Sequence, residues 1–220
     1  MATENQLRIP LTAIILAGGR SSRMGQDKAL LTIQGIPLLQ LVCDIAIALC
    51  NPVYVVTPWP ERYQRLLSAR CQFIREVPLV GESPGEVPAS SKVMTLPHGP
   101  LVGFAQGMAQ VQTDWVLLLA CDLPRLRVEV LQEWADGLDR VGEEEIAVLT
   151  HSAKGWDPLC GFYRRSCLPA LTEYIDQGGR SFQQWLAQHL VQVLSLPDTQ
   201  MLFNCNTPAD YVALTHPSPN

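Results

Sequence analysis

The stretch LAGGRSSRMGQDKALL runs from Leu16 to Leu31 and sets Gly18, Gly19 and Gly25 among Arg20, Ser21, Ser22, Arg23 and Lys28. It follows an apolar run with the composition of a strand. Glycines in such a place let the backbone approach a ligand and present successive N–H groups, a concavity that binds anions. Lys28 and Arg23 add positive charge where a chain of phosphates would lie. Leu16, Ala17, Gly18, Gly19 and Lys28 are therefore candidates for holding a nucleotide. Far along the chain, Asp122 closes a second apolar run, Trp115–Cys121. A carboxylate at the carboxyl end of a central strand can hold Mg²⁺, which takes one or two carboxylates together with phosphate oxygens and water. Standing before Leu123-Pro124, the same aspartate could instead cap a helix.

Two familiar phosphate motifs are excluded by spacing. A Walker loop requires a glycine immediately before the lysine and a hydroxyl after it, and here Asp27 and Ala29 flank Lys28. A dinucleotide fingerprint requires a glycine two residues after Gly18, where Arg20 stands.

The elements that must position these residues alternate in type. Strand patterns occupy Thr12–Ala17, Asn51–Thr57, Cys71–Ile74, Asp114–Cys121, Ile146–Thr150, Leu159–Tyr163 and Leu190–Leu196. Helical spacing marks Pro37–Cys50, Glu61–Ala69, Gly99–Gln112, Arg127–Leu138, Cys167–Ile175 and Ser181–His189, and a last helix begins at Pro208. Strands apolar along their whole length, alternating with helices, predict an α/β fold: a three-layer α/β/α sandwich around a mainly parallel, Rossmann-like sheet. Ligands in such sheets bind outside the carboxyl ends of the strands, which gathers the loops after Ala17, Thr57, Ile74 and Cys121. We expect a single domain over 11–214 between short tails, 1–10 and 215–220. The Pro-, Gly- and Ser-rich segment 78–97 keeps no period and reads as a mobile lid or a plain insertion.

Composition narrows the partners. A formal net charge of -5 without a basic block disfavours nucleic acid. No run approaches a membrane span, and the polar opening MATENQLRIP does not resemble a signal peptide, so a cytoplasmic location is expected. Seven cysteines, an odd count with no C-x-x-C, argue against zinc and against a disulfide framework. The four histidines are scattered and form no arrangement with a nucleophile.

The full string L-A-G-G-x-S-x-R-M-G-x-D-K resembles the signature of the MobA-type molybdenum cofactor guanylyltransferases. GPLVGF (Gly99–Phe104), ACDLP (Ala120–Pro124) and NCNTPADY (Asn204–Tyr211) are similar to that family's later motifs and stand in the same order. The resemblance implies GMP transfer from GTP to molybdenum-molybdopterin, with Mg²⁺ on Asp122 and Lys28 and Arg23 at the reacting phosphates. It further implies that Gly99, Asn204 and Asn206 meet molybdopterin, and that Glu76, in FIREVP, reads the guanine edge. Transient contacts with molybdopterin-delivering proteins and apo-molybdoenzymes would follow. Thr57 stands where some relatives carry asparagine, and Asp157, in WDPLCGFY, where relatives often carry histidine; no catalytic part is given to Asp157. A cytidylyl-transferring relative, a sugar-nucleotide pyrophosphorylase and a non-catalytic nucleotide-binding module are the competing readings.

Overall fold

In a computed structural model the described residues are 9–19, 21, 24–67, 69–77, 79 and 99–215. The expected lid, 78–97, therefore lies outside them except for Leu79, as does Arg23. Strand β1 (Leu11–Leu16) leads through the glycine loop to a small hairpin, β2 (Thr32–Ile33) and β3 (Ile36–Pro37), then helix α1 (Leu38–Leu49). There follow β4 (Val53–Thr57), β5 (Cys71–Arg75), α2 (Pro100–Met108), β6 (Trp115–Ala120) and α3 (Val128–Asp136). The second half holds β7 (Glu145–Ser152), β8 (Gly155–Arg164), α4 (Leu168–Asp176), α5 (Phe182–Leu186), β9 (Leu190–Val193) and α6 (Pro208–Thr215).

Seven strands form one sheet in the order β5-β4-β1-β6-β8-β7-β9. Alternation along the central strands explains why they are apolar throughout. Ala13 and Ile15 of β1, with Trp115, Leu117 and Leu119 of β6, face a core shared with α1 and α3. Ile14, Val116 and Leu118 face the opposite core, built with α2, α4 and α5. Both faces are covered, so neither set of alternate positions is polar. Gly107 of α2 permits the close approach on that second face, since a Cβ there would lie 3.0 Å from Ile14 and 3.1 Å from Val56.

The sheet departs from a parallel array in one strand. β8 runs antiparallel to both neighbours, pairing Leu119 with Cys160 on β6 and Val148 with Phe162 on β7. The turn between Ser152 and Gly155 (φ +101°) is the local cause, a tight connection that returns the chain beside itself instead of crossing over. Within β8, Gly161 sits where a Cβ would be 2.7 Å from the Val148 carbonyl and 2.5 Å from the Leu149 side chain. A backbone carbonyl in a ladder cannot yield. Gly161→Ala is accordingly expected to cost about 2–3 kcal/mol of stability, read as a lowered urea midpoint at unchanged slope.

One expectation needs correction, and one element is additional to those the sequence marks. The helix expected over Glu61–Ala69 is a single 3-10 turn, Pro60–Arg62, followed by turns, because Tyr63 rotates into the core at 1% exposure instead of extending a helical stripe. The hairpin ahead of α1 was not expected; its turn places Gln34 and Gly35 at φ 51° and 82°, the positive pair of a two-residue hairpin turn. It separates the glycine loop from α1, which begins at Leu38.

Candidate active site

Register explains how distant residues converge. β1 and β6 pair in parallel from Leu11–Trp115 to Leu16–Ala120, so both strands stop at one level. β4 and β5 end beside them through Leu16–Val56 and Thr57–Arg75. Four loops therefore open at one end of the sheet, as the strand-end rule requires. Antiparallel β8 begins where β6 ends and brings Asp157–Leu159 to the same rim.

A cleft of about 380 Å³ occupies this rim, bounded by Gly18, Gly19, Lys28, Glu76, Gly99 and Asp122. Leu16 also lines it, and the Ala17 N–H is held by the Val56 carbonyl at 2.9 Å, which fixes where the glycines begin. Lys28 opens a 3-10 turn whose N-cap, Asp27, accepts from the Ala29 N–H at 3.1 Å. The Lys28 N–H in turn donates to Ser21 Oγ at 3.1 Å, closing the loop on itself.

From this support the Lys28 ammonium reaches across the cleft. Nζ donates to Asp122 Oδ2 at 2.6 Å and to Asn206 Oδ1 at 2.8 Å. Asp122 is 8% exposed, and a carboxylate so covered needs a countercharge. The capping alternative for Asp122 fails, because α3 starts only at Val128 and its N-cap is Arg127. Asn206 does not cap the last helix either. Thr207 and Asp210 do so reciprocally, through Asp210 N–H to Thr207 Oγ1 at 3.2 Å and Thr207 N–H to Asp210 Oδ2 at 2.8 Å. That arrangement releases the Asn206 side chain toward Lys28. The Cys205 N–H donates to the Asp122 carbonyl at 3.0 Å, tying the carboxyl-terminal segment to the end of β6.

Glu76 follows β5, anchored by its N–H on the Thr57 carbonyl at 3.0 Å. Its carboxylate lies between two glycines: a Cβ on Gly103 would be 3.5 Å from the carboxyl carbon, and one on Gly18 would collide with Oε2. Gly99, at φ +88°, precedes α2 and aims the helix amino terminus into the same cleft. Expected beside molybdopterin, Gly99 is found in the compartment of Gly18 and Glu76. Asn204 lies apart from that compartment, in an adjoining recess with Asp157, while Asn206 meets Lys28.

The residues that brace the loop were missed in the sequence. Tyr63 donates to Asp27 Oδ2 at 2.8 Å, and the Arg62 guanidinium, stacked over Trp59, lies 3.6 Å from the same oxygen. Burial and then the Asp27 bond push the Tyr63 phenol well up, so it stays a donor across the physiological range. Asp27 was visible only as a letter of the motif, and Tyr63 only as one apolar position of an expected helix. The cysteines play no part of this kind. Burial first, and the Asp122 charge after it, push the Cys121 thiol up and keep it protonated.

Among the described residues no helix is long and apolar enough to cross a membrane, and no cluster of three or more His, Cys, Asp or Glu residues could hold a metal. The family model of the MobA-like NTP transferase domain matches residues 13–193. A Trichormus variabilis protein named probable molybdenum cofactor guanylyltransferase is 63% identical over 204 residues, which are 93% of this chain and 90% of that one. The molybdopterin-guanine dinucleotide biosynthesis protein A of Archaeoglobus fulgidus superposes with a TM-score of 0.70 at 20% identity, covering 93% of this chain and 96% of the other. A Mycobacterium tuberculosis protein in complex with manganese gives a TM-score of 0.64 at 14% identity over 95% and 100% of the two chains. With the glycine loop, the Lys28–Asp122 pair and this sheet order in one chain, the protein belongs to the MobA-like NTP transferase family.

Proposed function

We propose that the protein transfers GMP from GTP to the phosphate monoester of molybdenum-molybdopterin, giving molybdopterin guanine dinucleotide and pyrophosphate. The observation that carries this reading is the Lys28 ammonium, held at 2.6 Å from Asp122 and 2.8 Å from Asn206, which joins the nucleotide cleft to the carboxyl-terminal segment. The name of the 63% identical relative supports the choice of reaction.

In this reading the backbone of Leu16–Gly19 and the amino terminus of α2 bind the nucleotide's phosphates, and Lys28 follows the negative charge as it develops. Arg23 would join it from the same loop. An oxygen of the molybdopterin phosphate attacks the α-phosphorus in line, the bond to the β-phosphate oxygen breaks, and pyrophosphate departs with the electron pair. The attacking oxygen is already ionised near neutrality, so the chain needs no general base.

The donor set suits a divalent cation that arrives with its nucleotide. Asp122 offers one carboxylate, and phosphate oxygens and water can fill further positions around such a cation. Mg²⁺ is the expected ion, and manganese on a fold neighbour accords with a divalent site. When bound it would neutralise phosphate oxygens as a Lewis acid. In this reading Glu76, which lines the cleft, accepts from the N1–H and N2 amino group of guanine, an edge that cytosine and adenine lack. The product would pass to apo-molybdoenzymes, with the substrate brought by a molybdopterin-delivering protein in the cytoplasm.

Calorimetric titration with GTP, CTP and ATP, each with Mg²⁺, tests the reading. GTP is expected to bind about tenfold or more tighter than either competitor, the scale of one charge-assisted hydrogen-bond pair. A preference for CTP would overturn the guanylyl assignment.

A further inference from the structure

Beyond the nucleotide cleft, a second recess of about 130 Å³ opens at the same rim. Leu159 lines both, and Leu123 of the recess directly follows Asp122, so the two compartments flank the Lys28–Asp122 pair. The lining is mostly apolar, from Leu123, Pro158, Leu159 and Leu202, and two polar residues join it, Asp157 and Asn204. Walls of this kind with a few placed polar groups are how proteins seat flat heterocycles.

Asp157 is fixed rather than loose. Thr150, buried on β7, donates its hydroxyl to Asp157 Oδ2 at 3.0 Å, at the place where the β7–β8 register shifts. Such irregularities re-aim side chains beside functional sites. One carboxylate oxygen is thereby oriented, and Oδ1 has no hydrogen-bond partner among the described residues.

Resting on the reaction proposed above, we infer that Asp157 is the specificity residue for the second substrate and accepts hydrogen bonds from the N3–H and 2-amino group of its pterin ring. The reaction joins two molecules that each end in a 2-amino-4-oxo pyrimidine edge, guanine and pterin. Each presents an N–H beside an NH₂, a pattern that one carboxylate satisfies with two parallel bonds. The recess is lined by one carboxylate, Asp157, and the cleft by Glu76 besides the Asp122 carboxylate that Lys28 already pairs. Asn204 Nδ2 donates to the Leu202 carbonyl at 3.3 Å and keeps its second N–H for the ring's 4-oxo oxygen. The recess therefore recognises a 2-amino-4-oxo heterocycle, and that chemistry belongs to a pterin or to a second guanine nucleotide.

The test compares wild type with Asp157→Asn, which keeps an acceptor for Thr150 but turns a donor toward the ring. Dinucleotide formation is followed at saturating GTP and Mg²⁺ while molybdopterin is varied, and GTP affinity is measured separately by calorimetry. The expected result is a molybdopterin KM raised about tenfold to a hundredfold, with GTP affinity within about twofold of wild type and one GTP bound per chain. Asp157→Glu should recover part of the loss by restoring the charge. An unchanged molybdopterin KM in Asp157→Asn, with active wild type, overturns the assignment of Asp157 alone. Two GTP bound per wild-type chain, falling to one in Asp157→Asn, would give the recess to a nucleotide and overturn the pterin assignment. No dinucleotide from the wild-type protein would instead bring down the reaction proposed above, and this inference with it.

Discussion

Asp122→Asn is expected to reduce turnover by about 10³-fold or more while leaving the fold intact, the scale seen when a preorganised charge-stabilising group is removed from a reacting centre. The two side chains have the same shape, and an asparagine oxygen can still accept from the Lys28 ammonium, now 2.6 Å from the carboxylate. The neighbouring backbone bond, Cys205 N–H to the Asp122 carbonyl, does not involve the side chain at all. The largely covered Lys28 ammonium loses its countercharge, so the thermal midpoint should fall by about 2–8 °C, the effect of about 1–2 kcal/mol in a domain of this size, with the protein still folded at assay temperature. What is lost is the negative charge that would anchor the divalent cation of the nucleotide. Mn²⁺ binding followed by paramagnetic resonance in the presence of GTP should weaken in parallel with turnover, whereas GTP binding in EDTA should persist. Full turnover in Asp122→Asn would show that the carboxylate serves only as a partner for Lys28.

The central strands of the sheet and the convergence of the loops that follow them were legible because both follow from local pattern and the strand-end rule. Residues 11–16 are apolar except for Thr12 and 115–120 are apolar at every position, the pattern of strands buried on both faces. The glycine loop and Asp122 then fall at strand ends by simple counting. The direction of β8 was not legible in that way, since a buried strand reads the same from either end. Its signal was the short Ser-Ala-Lys-Gly connection at 152–155, too brief for a crossover helix. This one reversal carries Asp157 to the functional rim, so a residue set aside in the sequence becomes part of a compartment. The last motif was read as one unit, yet Asn204 and Asn206, two apart, point to different neighbours: the recess for the first, Lys28 for the second. Side chains that brace a loop from another element, as Tyr63 braces Asp27, leave no trace in spacing because their partner lies 36 residues away.

Lys28→Met should abolish turnover to a similar depth, about 10³-fold, and for a different reason. Methionine fills much of the same space, so the cleft keeps its shape while losing the one ammonium that bridges Asp122 and Asn206. If that ammonium acts on phosphates, the loss of affinity must grow with phosphate number. GTP should weaken by about tenfold to a hundredfold, GMP by less, and guanosine hardly at all, following the strength of charge-assisted bonds. Equal losses for all three would mean that Lys28 merely holds the fold. A second consequence runs the opposite way. Lys28 occupies Asp122 Oδ2 at 2.6 Å, and a cation seeking that carboxylate must compete with it. With methionine in place the competitor is gone, so Mn²⁺ alone, without nucleotide, should bind Lys28→Met more tightly than wild type even though catalysis has collapsed. Gain of metal affinity with loss of activity is an outcome that simple damage to the site does not produce. It would identify Lys28 as the group that keeps Asp122 closed to metal until a nucleotide draws the ammonium onto its phosphates.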